Sequence, residues 1–299
     1  MDSLHSGPLL GESDGLRVID CHACGFAHME TLPDAAALES FYANDFWQRT
    51  KAGALERIEA QREWWAAVYG DWLELIERHA PGRTLLDVGC GYGHFIAEAV
   101  QSEWSGIGLE PNPMAKIHAR NMIAKTFSIL GMTWDVFDRS ADVIYKNAYD
   151  CLSALWLIEH LPDPLHFLRW ARSRLAEGGV LLTVVPNDFT EIQARANLRI
   201  ARPSWWIDGT HLNYFTWSSF SNLLGRAGFR IVERQTQFPM EAFLLEGRDY
   251  TVDAALGADC HREVEQFDLG MTRAERLAHY GALAAQGAGR EIVVVAVKE

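Results

Sequence analysis

The sequence predicts an α/β protein built on a doubly wound, mostly parallel sheet, and three observations carry that prediction. Thr84 to Val88 is a short apolar run broken by Asp87, the pattern of a central strand buried on both faces. It runs straight into Gly89-Cys90-Gly91-Tyr92-Gly93 and then into a helical stretch, His94 to Gln101. Strand and helix patterns alternate from there to Gln237, which places ligands at the carboxyl ends of the strands.

Composition narrows the class. The 299 residues allow one large domain, or one domain with additions. With 48% apolar and 22% charged residues the chain is ordinary for a globular protein. A net charge of −13 weighs against a wide phosphate-tracking surface, so nucleic acid is disfavoured as a partner. No apolar run approaches the roughly 18 residues of a membrane span. Met1 to Gly15 has neither a basic start nor an apolar stretch of the signal-peptide kind. Five cysteines, an odd number without framework spacing, fit a reducing compartment, and the expected location is cytoplasmic.

In chain order, residues 1–15 are rich in Gly, Ser and Asp and are expected to be mobile. Cys21-x-x-Cys24-Gly25 is half of a zinc-ribbon knuckle. A structural zinc wants four ligands, and no second Cys-x-x-Cys follows. His22, His28 or one of the distant Cys90, Cys151 and Cys260 would have to complete it. The expectation is therefore a hairpin with two buried thiols, with zinc at Cys21 and Cys24 as the alternative. From Leu55 to His79, Trp65, Val68, Tyr69, Trp72, Leu73 and Ile76 form one helical apolar stripe that packs on the sheet. Pro81-Gly82 ends that region. The second strand, Ser105 to Leu109, ends in Glu110; Pro111 and Pro113 then start a helix reaching Ala124. Phe127 to Leu130 is a third strand and Tyr149 to Leu155 a fourth. A helix over Pro164 to Leu175, a strand over Gly179 to Val185 and a helix over Trp217 to Ala227 follow, with Gly228 as a stop signal. Arg230 to Gln237 and Glu291 to Lys298 are the last strands. Between them, 238–289 is too long for a bare loop and carries helical patterns at Val252–Val264 and Thr272–Ala285. This insertion leaves the sixth strand at its carboxyl end and is expected to wall an acceptor pocket. The chain thus divides into an extension and cap, 1–80, and a main domain, 81–299.

The glycine turn separates two cofactor classes. A dinucleotide fingerprint needs Gly-x-Gly-x-x-Gly, whereas here the third glycine comes one position early and His94 stands where Gly or Ala belongs. That weighs against a dehydrogenase. An acid at Glu110 suits the two ribose hydroxyls of an adenosine. Asp87-x-Gly89-x-Gly91-x-Gly93 resembles motif I of the class I S-adenosylmethionine (SAM) methyltransferases. Within that class the chain looks like the branch marked by Glu159-His160-Leu161-Pro162-Asp163-Pro164 and His211-Leu212-Asn213-Tyr214-Phe215-Thr216. The resemblance covers Thr84 to Gln237 and the last strand. It implies a Rossmann-like sheet of seven strands with the last antiparallel, SAM as methyl donor and S-adenosylhomocysteine as product. It also implies that Asp87, Gly89, Cys90, Gly91 and Gly93 hold the methionine end, and Glu110 with Pro111 the ribose. Met132 and Thr133 would touch adenine, and Ala154, Leu155 and Trp156 would face the sulfur. Tyr42 and Trp47 belong to a segment that, in this superfamily, often lies over the SAM site.

Methyl transfer requires an acceptor lone pair aligned with the S–CH₃ bond and water excluded. A hydroxyl acceptor must also lose its proton, which histidine can take near neutral pH. His160 and His211 are the candidate bases, with Glu159 placed to orient one of them. Some relatives bind a divalent metal there through Glu-x-x-Glu-His and a later His. Trp156 replaces the first acid here, which disfavours a hard cation, and no metal is assigned. Arg199, Arg202 and Trp206 form a basic, aromatic stretch after the fifth strand that, with Tyr214, is a candidate holder of an anionic or aromatic acceptor. The expected activity is methylation of a small molecule at oxygen, for instance a sugar or natural-product intermediate. A small amine as acceptor, or a SAM-binding subunit whose chemistry has lapsed, are the alternatives. Acceptor identity and oligomeric state are not written in these motifs, since one fold and cofactor serve many acceptors.

Overall fold

The computed structural model describes residues 5–32, 53–123, 126–140, 148–202 and 204–299. The chain opens as three antiparallel strands, β1 (Leu9–Ser13), β2 (Leu16–Cys21) and β3 (Phe26–Met29). The expectation that residues 1–15 are mobile is corrected for Leu9 to Ser13, which pairs along Leu16 to Ile19. Helices α1 (Ala54–Ala60) and α2 (Arg62–Glu77) replace the single helix expected from Leu55 to His79. The break falls at Gln61, whose backbone leaves the helical region and whose side chain donates to Glu265 at 2.5 Å. The apolar stripe buries Val68, Tyr69, Trp72, Leu73 and Ile76 as its spacing requires, with Trp64 deeper than Trp65.

The main sheet contains β4 (Thr84–Val88), β5 (Ser105–Leu109), β6 (Phe127–Leu130), β7 (Tyr149–Leu155), β8 (Leu175–Pro186), β10 (Phe229–Gln235) and β11 (Glu291–Lys298). Its order is β10-β11-β8-β7-β4-β5-β6, parallel except for β11, as the motifs implied. Alternation along each strand makes two apolar layers. Leu86, Val88, Leu152, Leu181 and Val294 face α6 (Pro164–Arg174) and α8 (Trp217–Arg226). Leu85, Cys151, Leu182, Val184 and Val293 face α2 and α3 (His94–Gln101). Helix α4 (Pro113–Met122) follows β5, and α5 (Trp134–Ser140) follows β6.

One pairing lay beyond the sequence patterns, whereas the insertion carries long helices where the patterns at Val252–Val264 and Thr272–Ala285 put them and adds a short one. A two-residue strand, β9 (Asn213–Tyr214), joins β3 and makes a four-stranded sheet, β1-β2-β3-β9, that fastens the N-terminal hairpin beside the main sheet. The insertion folds as α9 (Glu241–Leu245), α10 (Ala254–Leu269) and α11 (Arg273–Ala285). Its two long helices lie against α2: the Trp64 indole donates to Asp268 at 2.7 Å, and Arg276 pairs with Asp71 at 2.7 and 2.8 Å. Helix α9 instead packs on α7 (Glu191–Ile200), at the carboxyl end of β8. Among the described residues no helix is long and apolar enough to cross a membrane.

Candidate active site

The carboxyl ends of β4, β5 and β7 build a cradle from the residues the motifs singled out. Gly89, Gly91 and Gly93 all take left-handed backbone (φ 75°, 53° and 86°), which side chains rarely adopt. A Cβ on Gly93 would also stand 2.8 Å from that of Ala119, so this glycine lets α3 approach α4. Among the described residues no side chain caps α3, whose first turn opens beside the cradle. Glu110, 4% exposed, is pinned by the N–H groups of Gly91 (3.0 Å) and Asn112 (2.8 Å). A carboxylate is an acceptor only, with about four lone-pair positions, which is the chemistry that ribose hydroxyls call for. Asn112, which the motifs did not flag, caps α4 through Met114 and Ala115 and fixes the turn that holds Glu110.

Asp87 lies inside the sheet and accepts the Ser153 hydroxyl at 2.6 Å. Burial pushes its carboxyl up to about 7; Glu110 adds to the shift and the Ser153 bond opposes it. A cationic ligand end would draw this group into its ionised form. The cradle therefore fits an adenosine that carries positive charge, which is the chemistry of SAM. The Cys90 sulfur is buried against Gly108, and its backbone belongs to the turn. Pro111 follows Glu110 in the same loop. Thr133 accepts from Phe137 N–H at 2.9 Å as the first residue of the α5 turn, and Met132 is partly buried against the core.

Beyond β7 the chain reaches the acceptor side. Ala154 is core, and Leu155 and Trp156 pack against the other apolar layer. Trp156 has φ 50°, an outlier for so large a side chain, and such strain collects at functional turns. Its ring meets Trp65 and Trp72 with centroids 5.7 Å away in each case. The next residues form a short 3₁₀ turn, Ile158–His160. Glu159, His160 and His211 each bring a side-chain atom within 4.8 Å of the others. His160 Nδ1 lies 2.7 Å from the carbonyl of Thr210, to which it donates, leaving Nε2 as the basic nitrogen aimed into the cluster. The rings of His160 and His211 stand edge to face, 5.0 Å apart. Asp208 adds charge beside them: burial acts to raise its carboxyl, but His211 and bonds from Thr210 and His211 hold it below the usual range.

The other acceptor candidates separate. Tyr42 and Trp47 lie outside the described residues. Arg202 is engaged by both oxygens of Asp249, at 2.8 and 2.6 Å, and ties the end of α7 to the insertion. Arg199 is exposed. Trp206 and Tyr214 lie in the core of the small sheet, in one buried cluster with Val18 and Met29, and the Tyr214 hydroxyl donates to the carbonyl of Asp208. Sequence patterns missed a buried acidic group at the ends of β8 and β11. Asp188, Glu241 and Glu291 gather around Arg290, and Trp156 donates its indole N–H to Glu291. Burial pushes Glu291 up to about 7. Among the described residues, one oxygen each of Glu241 and Glu291 is buried without a hydrogen-bond partner.

A model of the family described as "Methyltransferase domain" matches residues 60–234, more than half of the chain. The ubiquinone biosynthesis O-methyltransferase of Histophilus somni is 28% identical over 145 residues, covering 42% of this chain and 60% of that protein. The protein of that name from Cereibacter sphaeroides is 27% identical over 164 residues, covering 52% and 63%. The chain thus spans less than two thirds of the length of these relatives. Among solved structures, the plantazolicin methyltransferase BpumL in complex with SAH superposes with a TM-score of 0.52 at 14% identity, covering 88% of this chain and 94% of that one. A methyltransferase complexed with the Haloferax volcanii activator Trm112 gives 0.51 at 15% identity, covering 86% and 97%. These likenesses show the shared fold.

Proposed function

The chain belongs to the methyltransferase-domain family, whose members use SAM, and from that premise we propose that it methylates a hydroxyl of a small-molecule acceptor. The observation that carries this reading is the convergence of Glu159, His160 and His211 beside the strained Trp156 turn that follows β7. The O-methyltransferase relatives support oxygen as the methylated atom. A sugar or natural-product intermediate of modest size is the acceptor class we favour.

SAM supplies a methyl group on a sulfonium, already a strong electrophile. The chain's own residues do the rest. Glu110 holds the ribose and sets the register of the adenosine. Asp87 offsets positive charge at the methionine end. His160 Nε2, with Nδ1 committed to Thr210, takes the hydroxyl proton, and Glu159 and His211 steady the cation that forms. The tryptophans of α2 around Trp156 exclude water from that side.

A second reading, an amine acceptor, is favoured by the acidic group around Glu241 and Glu291. Ionised, these carboxylates would hold an ammonium or guanidinium close to Trp156. S-adenosylhomocysteine release from SAM, measured over phenols, sugars and amines, tests both readings. His160→Ala should lower kcat on a hydroxyl acceptor by about 10²- to 10⁴-fold, the usual scale for a lost general base, while SAM affinity stays unchanged. Turnover confined to amines and insensitive to His160→Ala would replace the first reading with the second.

A further inference from the structure

We propose that His5, Cys21, Cys24 and His28 bind one structural zinc ion. The ligand atoms of all four lie within 4.8 Å of one another. The finer distances fit one particular geometry. His5 Nδ1 is 3.3 Å from His28 Nε2, 3.6 Å from Cys21 Sγ and 3.4 Å from Cys24 Sγ. A tetrahedral zinc with Zn–N of about 2.0–2.1 Å and Zn–S of about 2.3 Å has N···N edges of about 3.3 Å and N···S edges of about 3.5 Å. The nitrogens and sulfurs therefore stand at the spacing of a coordination sphere.

The surrounding structure orients each ligand. His28 Nδ1 donates to the carbonyl of Met29 at 2.7 Å, which fixes the tautomer and turns the Nε2 lone pair inward. Gly25 takes left-handed backbone (φ 75°) and donates to the carbonyl of Cys21 at 2.8 Å, closing the knuckle between the thiols. The missing fourth ligand comes from the N-terminal segment. The carbonyls of Ser6 and Pro8 accept the N–H groups of His22 and Asp20 at 3.0 and 2.9 Å, so residues 5–8 run alongside β2 and bring His5 over the pair of thiols. Two thiolates and two neutral imidazoles cancel the double charge of the ion, and a soft S₂N₂ tetrahedron selects zinc over hard cations. All four positions are filled by protein, which makes the site structural.

The ion would clasp the N-terminal segment to the edge that carries the acceptor residues. β3 bears His28 and pairs with β9, and the Met29 N–H donates to Leu212 at 2.9 Å. The Leu212 N–H donates to the carbonyl of Glu159 at 2.9 Å, so the clasp lies two hydrogen bonds from that cluster. Arg226 of α8 donates to the carbonyl of Cys24.

Metal analysis of the full chain tests the proposal. The purified protein, after equilibration with zinc and removal of loose metal, should hold one zinc per chain. A mercurial that titrates Cys21 and Cys24 should release it in proportion to the thiols modified. Cobalt substitution should give the intense visible bands of a tetrahedral thiolate site. His5→Ala and Cys24→Ser should lose the metal. His22→Ala, an exposed change within the knuckle, should keep it, as should His160→Ala and His211→Ala, which separates this site from the acceptor cluster. Zinc below a tenth of an equivalent, a disulfide between Cys21 and Cys24, or full zinc retention in His5→Ala would each overturn the proposal. The thiol titration uses wild-type protein, so it decides the matter even where Cys24→Ser fails to fold.

Discussion

Lowering the pH should weaken SAM binding through Asp87. In the free protein this carboxyl is buried, bonded to Ser153 and pushed up to about 7. If the donor's positive charge requires the ionised form, the competent fraction is about 3% at pH 5.5 and about three quarters at pH 7.5. Affinity should then rise about 25-fold across that interval, or ~2 kcal/mol. The interval stops at 7.5 because the ligand's own α-amino group titrates from about 7.7. Calorimetry on wild type and Asp87→Asn supplies the comparison, with the variant binding weakly and with a flat profile. The same carboxyl should show itself without ligand. Its folded pKa lies above the unfolded value of about 3.9, so the unfolded chain binds fewer protons between about pH 4 and 7. The stability it contributes is full below that window and is lost as the pH rises through it. Asp87→Asn should therefore gain on wild type by up to a few kcal/mol from pH 4 to 7.5 while losing affinity. Parallel pH profiles for the two proteins, in binding and in stability alike, would refute this role for Asp87.

Gly93→Ala combines a left-handed φ of 86° with a Cβ only 2.8 Å from that of Ala119, so strain and overpacking together should cost about 2–5 kcal/mol in urea unfolding. Asp71→Ala strands the buried Arg276 and should cost about 3–5 kcal/mol, most of it recovered in the double variant Asp71→Ala/Arg276→Met; a double variant no more stable than the single one would contradict the pairing. Arg202→Ala breaks a half-exposed pair with Asp249, and should cost under about 1 kcal/mol and leave acceptor KM unchanged. A rise in that KM would return Arg202 to the acceptor.

The parts of the fold that local pattern determines were legible. β4, the glycine turn and α3 follow from one run of sequence, and β6 falls on Phe127–Leu130 because a short apolar run between turn residues has few other readings. Errors arose where local signals compete. Gly178-Gly179 reads as the start of a strand, yet β8 begins at Leu175, which pairs with Tyr149 before the chain passes Gly178 in left-handed backbone. Gln61 has no breaker chemistry, and its side chain's partner is Glu265 in the insertion. The cradle was legible for the same reason as β4: its residues are near neighbours in sequence, and Glu110 is one strand away. The acidic group was not, because Asp188, Glu241 and Glu291 meet only after β8, α9 and β11 have packed, and an isolated Glu ahead of a Val-rich strand reads as a surface residue.

The N-terminal knuckle shows how such a limit works in detail. Cys21 and Cys24 announce half of a site, and counting ligands from the sequence leaves the pair short, since the spacing rules look for a second pair downstream. The fourth ligand instead precedes the pair, in a Gly- and Ser-containing stretch whose composition argues for mobility. Composition reports how little apolar area a segment can bury, which is an argument about hydrophobic stabilisation alone. It does not register backbone pairing with β2, or the coordination that we infer at His5. Both act on residues 5–13, and β1 is ordered there although its Leu9 and Leu10 side chains stay exposed. Removing the ion should therefore loosen residues 5–13 before any part of the main sheet, so hydrogen exchange in zinc-stripped protein should accelerate first at the amides of Asp20 and His22, which pair with that segment. Uniform acceleration across both sheets would place the ion's contribution in the global fold instead.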